Sequence, residues 1–189
     1  WPRRVDRVGE TPCLLVLRHD RSVGVGGAVE RLHQEDFCQA LGLPPSRQYQ
    51  QEGGPSLRDC VDMLREWSSV PVLDLRSFVD GVVFAVLTGN ADAHAKNFSW
   101  LYSGSGRRMA PLYDQVCTLG WPELSVQLSM KVGSAATLNE VVPGHFEQLS
   151  RSTGLGWPML RARMAELCER ILECAADPGL PSEVVRGRA

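Results

Sequence analysis

The chain has 189 residues, enough for one domain with a sizeable core or two very small ones. It is 43% hydrophobic and 22% charged, and its formal net charge is −2. These are ordinary globular values, with no bulk pull toward nucleic acid or anionic lipid, and the longest apolar run, Val82–Leu87, is too short to span a bilayer.

Trp1–Pro12 is polar and reads as a tail or a remnant strand. Cys13–Leu17 (CLLVL) predicts a short buried strand, followed by Arg18–Arg21. Ser22–Ala28 (SVGVGGA) is glycine-rich but lacks the phosphate-loop spacing G-x-x-x-x-G-K-[ST], so it reads as a hairpin tip. His33–Leu41 suits a short helix with Phe37, Cys38 and Leu41 on one side. Pro44–Pro55 is a loop, and Ser56 can cap a helix over 57–68 in which Leu57, Cys60, Val61, Leu64 and Trp67 recur at helical spacing. Val72–Thr88 is the clearest helix. Leu75, Phe78, Val79, Val82, Val83, Val86 and Leu87 mark its apolar face, and Phe84 and Ala85 extend burial nearly all round.

That helix delivers Gly89–Asn90 into the stretch that concentrates polar chemistry, GNADAHAKNFSWLYSGSGRRMAPLYD (89–114). Asp92 and Asn97 stand as D-x-x-x-x-N, the spacing of a kinase catalytic loop, where the Asp accepts a hydroxyl proton and the Asn holds Mg²⁺. A carboxylate and an amide oxygen are the hard ligands that Mg²⁺ prefers. On its own this spacing is a weak signal. Phe98–Tyr102 and Met109–Tyr113 read as strands joined by a turn at Ser103–Gly106. Pairing Tyr102 with Met109 and Phe98 with Tyr113 places Asn97 opposite Asp114, about 5 Å apart as cross-strand neighbours are. Pro111 makes its strand irregular or an edge.

Gln115–Glu123 is a loop with no recognisable phosphosite motif, Thr118 and Ser125 being merely available hydroxyls. Ser125–Val132 alternates like a half-buried strand. Leu138–Val142 and Phe146–Ser152 look helical, separated by Pro143-Gly144. A last amphipathic helix runs from Pro158 to about Ala176, stopped by Asp177-Pro178-Gly179, and Pro181–Ala189 reads as a frayed tail. The six cysteines show neither C-x-x-C nor zinc spacing, and most have apolar neighbours, which predicts reduced, buried thiols in a cytoplasmic protein.

GNADAHAKNFS and MAPLYD resemble the catalytic and metal loops of HipA-type serine/threonine kinases, the toxins of bacterial toxin–antitoxin pairs. The resemblance extends to RLHQEDFCQALGLP (31–44), QYQQEGGPS (48–56) and SMKVG (129–133). It implies a kinase-like C-lobe, mostly α with short β hairpins, over residues 13–180, with 1–12 a tail or remnant of a preceding lobe and 181–189 flexible. Asp92 would be the catalytic base, Asn97 and Asp114 the Mg²⁺ ligands, and His94 and Lys96 neighbours of the transferred phosphate. Backbone near Arg18 and His19 would meet the adenine of ATP, and Gln34 would contact the nucleotide. The implied partners are a protein substrate, in known cases an aminoacyl-tRNA synthetase, and a DNA-binding antitoxin, without direct nucleic-acid or membrane binding.

A kinase also needs a lysine on an N-lobe strand to hold nucleotide phosphates. The two lysines, Lys96 and Lys131, lie in or after the site stretch, so the N-terminal lobe is expected to be largely absent and the isolated chain to turn over little. Two alternatives stand: a kinase remnant or interaction module without catalysis, and a metallophosphoesterase opened by Asp92 and His94. The second lacks G-N-H-D, and only His145 remains downstream as a further histidine.

Overall fold

The computed structural model describes residues 3–104 and 106–176. The polar start is a strand rather than a tail: β1 (Arg3–Val8) pairs antiparallel with β2 (Thr11–Val16) around Gly9, whose φ of 62° suits the tight turn. The expected strand over 13–17 therefore exists but is not buried. The ribbon forms its own two-stranded sheet, and Leu14, Leu15, Val16 and Leu17 remain exposed. The glycine-rich segment is a hairpin tip as expected, between β3 (Arg21–Val23) and β4 (Val29–Arg31).

The stretch 33–41 divides. His33–Asp36 is a strand, β5, and only Phe37–Ala40 is helical, as α1. β5 pairs with β6 (Ser99–Ser103), and this long-range ladder overrides the local helical reading. Asp36 ends the strand and caps α1 in a capping box with Gln39.

β7 (Gly106–Met109) completes this three-stranded sheet in the order β5-β6-β7. Its register corrects the expectation. Trp100, not Tyr102, faces Met109, and Tyr102 faces Arg107, because Ser103 and Gly106 already pair and the turn is tighter than expected. A two-residue shift keeps every side chain on its face, so the in–out pattern survives. The last bond runs from Ala110 N to Ser99 O (2.7 Å), and the ladder stops before Pro111, which has no N–H to offer.

α2 (Leu57–Trp67) begins at a Ser56–Asp59 capping box and packs on α3 (Pro71–Leu87). Burial of α3 is less even than its composition implied. Phe78, Val79, Val82, Val83 and Ala85 are buried, whereas Val72, Leu73 and Leu87 are exposed. Two ion pairs hold α3 in place. Asp74, 2% exposed, accepts from Arg108 Nη2 (2.9 Å), Ser68 Oγ (2.6 Å) and Met109 N (3.0 Å), which ties the helix start to β7. Asp80 takes a two-pronged bond from Arg163 (2.7 and 2.8 Å) on α5 (Trp157–Ala175).

β8 (Gln127–Val132) and β9 (Ala135–Thr137) form a hairpin. Pro143-Gly144, expected to separate two pieces, instead opens α4 (Pro143–Thr153), with the proline in the first turn where its missing N–H costs nothing. The expected stop at Asp177-Pro178-Gly179 and the tail from Pro181 lie outside the described residues. Of the cysteines, only Cys38 and Cys60 are buried, and all six are free. Burial pushes the Cys38 thiol up to about 11, so it stays protonated.

Four aromatic rings tie the helices to the sheet directly beneath the site stretch. Phe78 of α3 meets Phe98 edge-on at 4.8 Å between centroids, and Phe37 packs on Trp100 at 5.5 Å. All four are essentially inaccessible. Replacing Phe98 with alanine is expected to lower unfolding free energy by about 3–5 kcal/mol, read from urea denaturation. A loss below about 1 kcal/mol would mean that these rings do not carry the junction.

Candidate active site

The site begins where α3 stops. Gly89 takes φ 74° just beyond the helix, Gly89 N donates to Val86 O (3.2 Å), and Asn90 N donates to Ala85 O (2.8 Å). This is a Schellman ending, which satisfies the last carbonyls of the helix and turns the chain sharply away. Asn90 Oδ1 then accepts from Asp92 N (3.0 Å), an Asx turn that fixes the next step. His94 N donates to Asp92 O (2.8 Å) and Asn97 N to His94 O (2.9 Å), closing a single 3₁₀ turn at Ala95–Asn97. The loop from Gly89 to Asn97 is thus built from short-range hydrogen bonds on a rigid helix end.

Asn97 is 3% exposed, and its Nδ2 donates to Asp114 Oδ2 at 2.7 Å. The two residues meet as expected, although not as a strand pair, since both lie beyond the ladder. Asp114 reaches this position with φ 54°, the only non-glycine in the left-handed region among the described residues. Such backbone is uncommon for any residue with a Cβ and collects at functional sites. The chain before Asp114 is anchored by Tyr113. Its hydroxyl donates to Lys96 O (2.5 Å) and accepts from Ser99 Oγ. Burial pushes the Tyr113 phenol up to about 12, so this tie stays neutral and intact throughout the physiological pH range.

Asn97 Oδ1 is buried and has no hydrogen-bond partner, whereas the carboxylate beside it is exposed. An orphaned amide oxygen next to an accessible carboxylate is the donor set a small hard cation takes. Among the described residues no group of three or more His, Cys, Asp or Glu is placed for a metal ion.

Asp92 is exposed in the wall of a cleft of about 350 Å³ that is also lined by Tyr49, Glu52, Leu124 and Ser129. Ser129 Oγ lies 3.3 Å from Asp92 Oδ1. Burial raises the Tyr49 phenol above its usual value, and the Asp92 carboxylate adds to that rise. His94 packs its ring on Tyr49 at 5.6 Å, and its buried Nδ1 has no partner.

Lys96 lines a different cleft of about 260 Å³, together with Arg18, Gln34, Ser99 and Tyr113. Its ammonium is held by Pro45 O and Gln48 Oε1, both at 2.8 Å. Gln34 Nε2 donates to Ser99 Oγ at 3.1 Å. Arg18 forks onto the buried Asp20 (2.7 and 2.6 Å), which also takes a bond from Arg21. These guanidiniums, Arg18 first, hold Asp20 well below the usual carboxylate range. A depressed folded value means that the clamp is present at neutral pH and is lost only as pH falls below that range. His19 stacks on Tyr113 at 5.9 Å. Arg18, His19, Gln34 and Lys96 thus gather around Tyr113 and Ser99, while Asp92 faces the other cleft.

Tyr113, Ser99, Ser129 and Asn90 have structural roles at this site that spacing alone did not reveal. Tyr113 was legible as the end of a strand beside Asp114, and its hydroxyl does the anchoring. Ser129 had a signal in its position within the strand alternation, where a polar residue falls between Leu128 and Met130.

These elements, in this order around this loop, make a kinase-like C-lobe. The chain belongs to the family of HipA-like C-terminal domains, whose sequence profile matches residues 2–176. It is 43% identical over 165 residues to the protein Y4mE of Sinorhizobium fredii, covering 87% of this chain and 39% of that one. It is 29% identical over 180 residues to the serine/threonine-protein kinase toxin HipA of Shewanella oneidensis, covering 89% and 42%. A solved structure of the Shewanella oneidensis HipA, HipB and operator DNA complex superposes with a TM-score of 0.84 at 26% identity, over 97% of this chain and 47% of that one. The chain therefore spans less than half the length of these relatives.

Replacing Tyr113 with phenylalanine leaves Lys96 O without its partner. The expected cost is about 1–3 kcal/mol of stability in urea denaturation, and an unchanged midpoint would remove Tyr113 as the anchor.

Proposed function

We propose that this chain is the catalytic-loop and metal-loop part of an ATP- and Mg²⁺-dependent serine/threonine kinase of the HipA type. The observation that carries this reading is the Asn97–Asp114 pair, with its unpartnered amide oxygen and exposed carboxylate. These two residues would hold Mg²⁺, which, when bound, neutralises charge on the phosphates of ATP. Asp92, accessible in its cleft and steadied by Ser129, accepts the proton of the acceptor hydroxyl. Gln34, with the backbone at Arg18 and His19, lies on the nucleotide side, and His94 and Lys96 hold the loop between the two sides. Lys96 spends two of its three N–H donors on Pro45 and Gln48, which leaves one for the transferred phosphate.

The metallophosphoesterase alternative gains no support. A dinuclear site needs several ligands beside Asp92 and His94, and among the described residues no group of three or more His, Cys, Asp or Glu is placed for a metal ion. The acceptor is a protein hydroxyl, the aminoacyl-tRNA synthetases being the class that the resemblance implies. A DNA-binding antitoxin is the proposed partner, the solved relative being a complex of HipA with HipB and operator DNA. The proposed site of action is the cytoplasm; among the described residues no helix is long and apolar enough to cross a membrane.

Phosphoryl transfer from labelled ATP by the full polypeptide carrying these residues tests the reading. Asp92→Asn is expected to lower the rate about 10²–10⁴-fold while the protein stays folded. Asp114→Asn is expected to raise the Mg²⁺ concentration needed for half-maximal rate. Transfer by D92N near the unmutated rate would overturn the assignment.

Residues 1–189 as an isolated polypeptide are expected to turn over little. Lys96 is committed to the 44–48 loop, and Lys131, the other lysine, lies on β8. Robust Asp92-dependent turnover by that piece would contradict this.

A further inference from the structure

The loop 115–124 follows the metal-binding pair, and Thr118 is its one buried residue, 8% exposed. Its hydroxyl proton and one lone pair are engaged. Oγ1 donates to Gly89 O at 3.0 Å and accepts from Ala91 N at 2.9 Å. One side chain thus spans the backbone on both sides of Asn90, immediately before Asp92. Its neighbour reinforces the contact: Leu119 N donates to Gly89 O (3.1 Å), and the Leu119 side chain sits 2.8 Å from where a Cβ on Gly89 would stand. Only glycine allows that approach, for steric reasons as well as for its φ of 74°.

From the opposite side, Ser129 N donates to Ala91 O at 2.9 Å, and the one Oγ proton is shared between Ala91 O (3.0 Å) and Asp92 Oδ1 (3.3 Å). Ala91 therefore has its N–H committed to Thr118 and its carbonyl to Ser129. The residue before the catalytic carboxylate is fixed by two hydroxyls from two separate segments. Ser129 belongs to a strand, but Thr118 rides on a loop whose Trp121 and Leu124 are half exposed. Thr118 and Leu124 line the same cleft as Asp92.

We infer that Thr118 is a positioning residue that couples the order of the 115–124 loop to the placement of Asp92. When the loop is seated, Ala91 N–H has its partner and the carboxylate is held. When the loop lifts, Ala91 N–H loses its partner and Asp92 is steadied by Ser129 alone. The inference deepens the proposed kinase reading and rests on Asp92 as the base. It also removes Thr118 from the free hydroxyls, because its one proton is already donated to Gly89 O.

The test compares Thr118→Val, which keeps shape and removes the hydroxyl, with Thr118→Ser, which keeps the hydroxyl. Three quantities are read on the full polypeptide: kcat, KM for ATP, and amide hydrogen exchange at Ala91. T118V is expected to lower kcat about tenfold to a hundredfold, with little change in KM for ATP, as misplacement of a catalytic group does. It should also speed exchange at Ala91, and T118S should restore both. If T118V does not fold, as judged by thermal melting, T118A takes its place. Wild-type kcat and wild-type exchange in the variant lacking the hydroxyl would overturn the inference, as would an equal loss in T118S. Exchange at Ala91 reads the clasp without turnover. If D92N transfers phosphate like the unmutated protein, the kinase reading fails on that result, while the exchange data still decide whether Thr118 holds the loop.

Discussion

The constraint on which this structure turns is a buried amide. Asn97 is almost inaccessible, spends its NH₂ on Asp114, and keeps a carbonyl oxygen without a partner. A buried polar atom left unpaired is costly unless something outside the chain completes it. The surroundings are arranged to hold that amide still. Phe98, the next residue, is locked into the aromatic junction with Phe78, Phe37 and Trp100. Asp114 is held opposite through backbone in the left-handed region, immediately after the Tyr113 tie to Lys96 O.

The helix beneath supplies the other fixed point. Asp74 binds its first turn to β7, Asp80 binds its middle to Arg163 of α5, and the Schellman ending at Gly89 releases the loop in one direction. From there the loop is nearly self-determined by bonds at Asn90, Asp92 and His94. Precision in a catalytic loop comes from such short-range closure on a rigid support. The result is two clefts served by one short segment, with Asp92 facing the first and Lys96 the second.

Much of this was legible in the residues. α2 and α3 follow from apolar spacing, and Ser56 marks its cap as a serine should. Asp92, Asn97 and Asp114 stood out by spacing and by likeness to a family, and the structure does bring Asn97 to Asp114. The details of how it does so were not legible. The hairpin closes two residues tighter than expected, because turn length is decided by backbone geometry that the sequence SGSG leaves open. His33–Asp36 has helical composition but pairs with Ser99–Ser103, more than sixty residues away. The apolar run at 13–17 carries the composition of a core strand, yet Leu14 to Leu17 lie exposed and β2 pairs only with β1. Hydroxyl contacts such as those of Tyr113 and Thr118 leave no trace in spacing, because a hydroxyl shows its role only once its partners are placed.

The central claim is that Asn97 and Asp114 together complete a cation that comes with ATP. It is tested most directly by adding Mn²⁺ and ATP to the isotopically labelled full polypeptide and following paramagnetic broadening by NMR. The account predicts that the Asn97 side-chain amide and the Asp114 backbone broaden first, and that excess Mg²⁺ reverses the effect. Broadening centred elsewhere, with the Asn97 amide unchanged at saturating Mn²⁺, would contradict it.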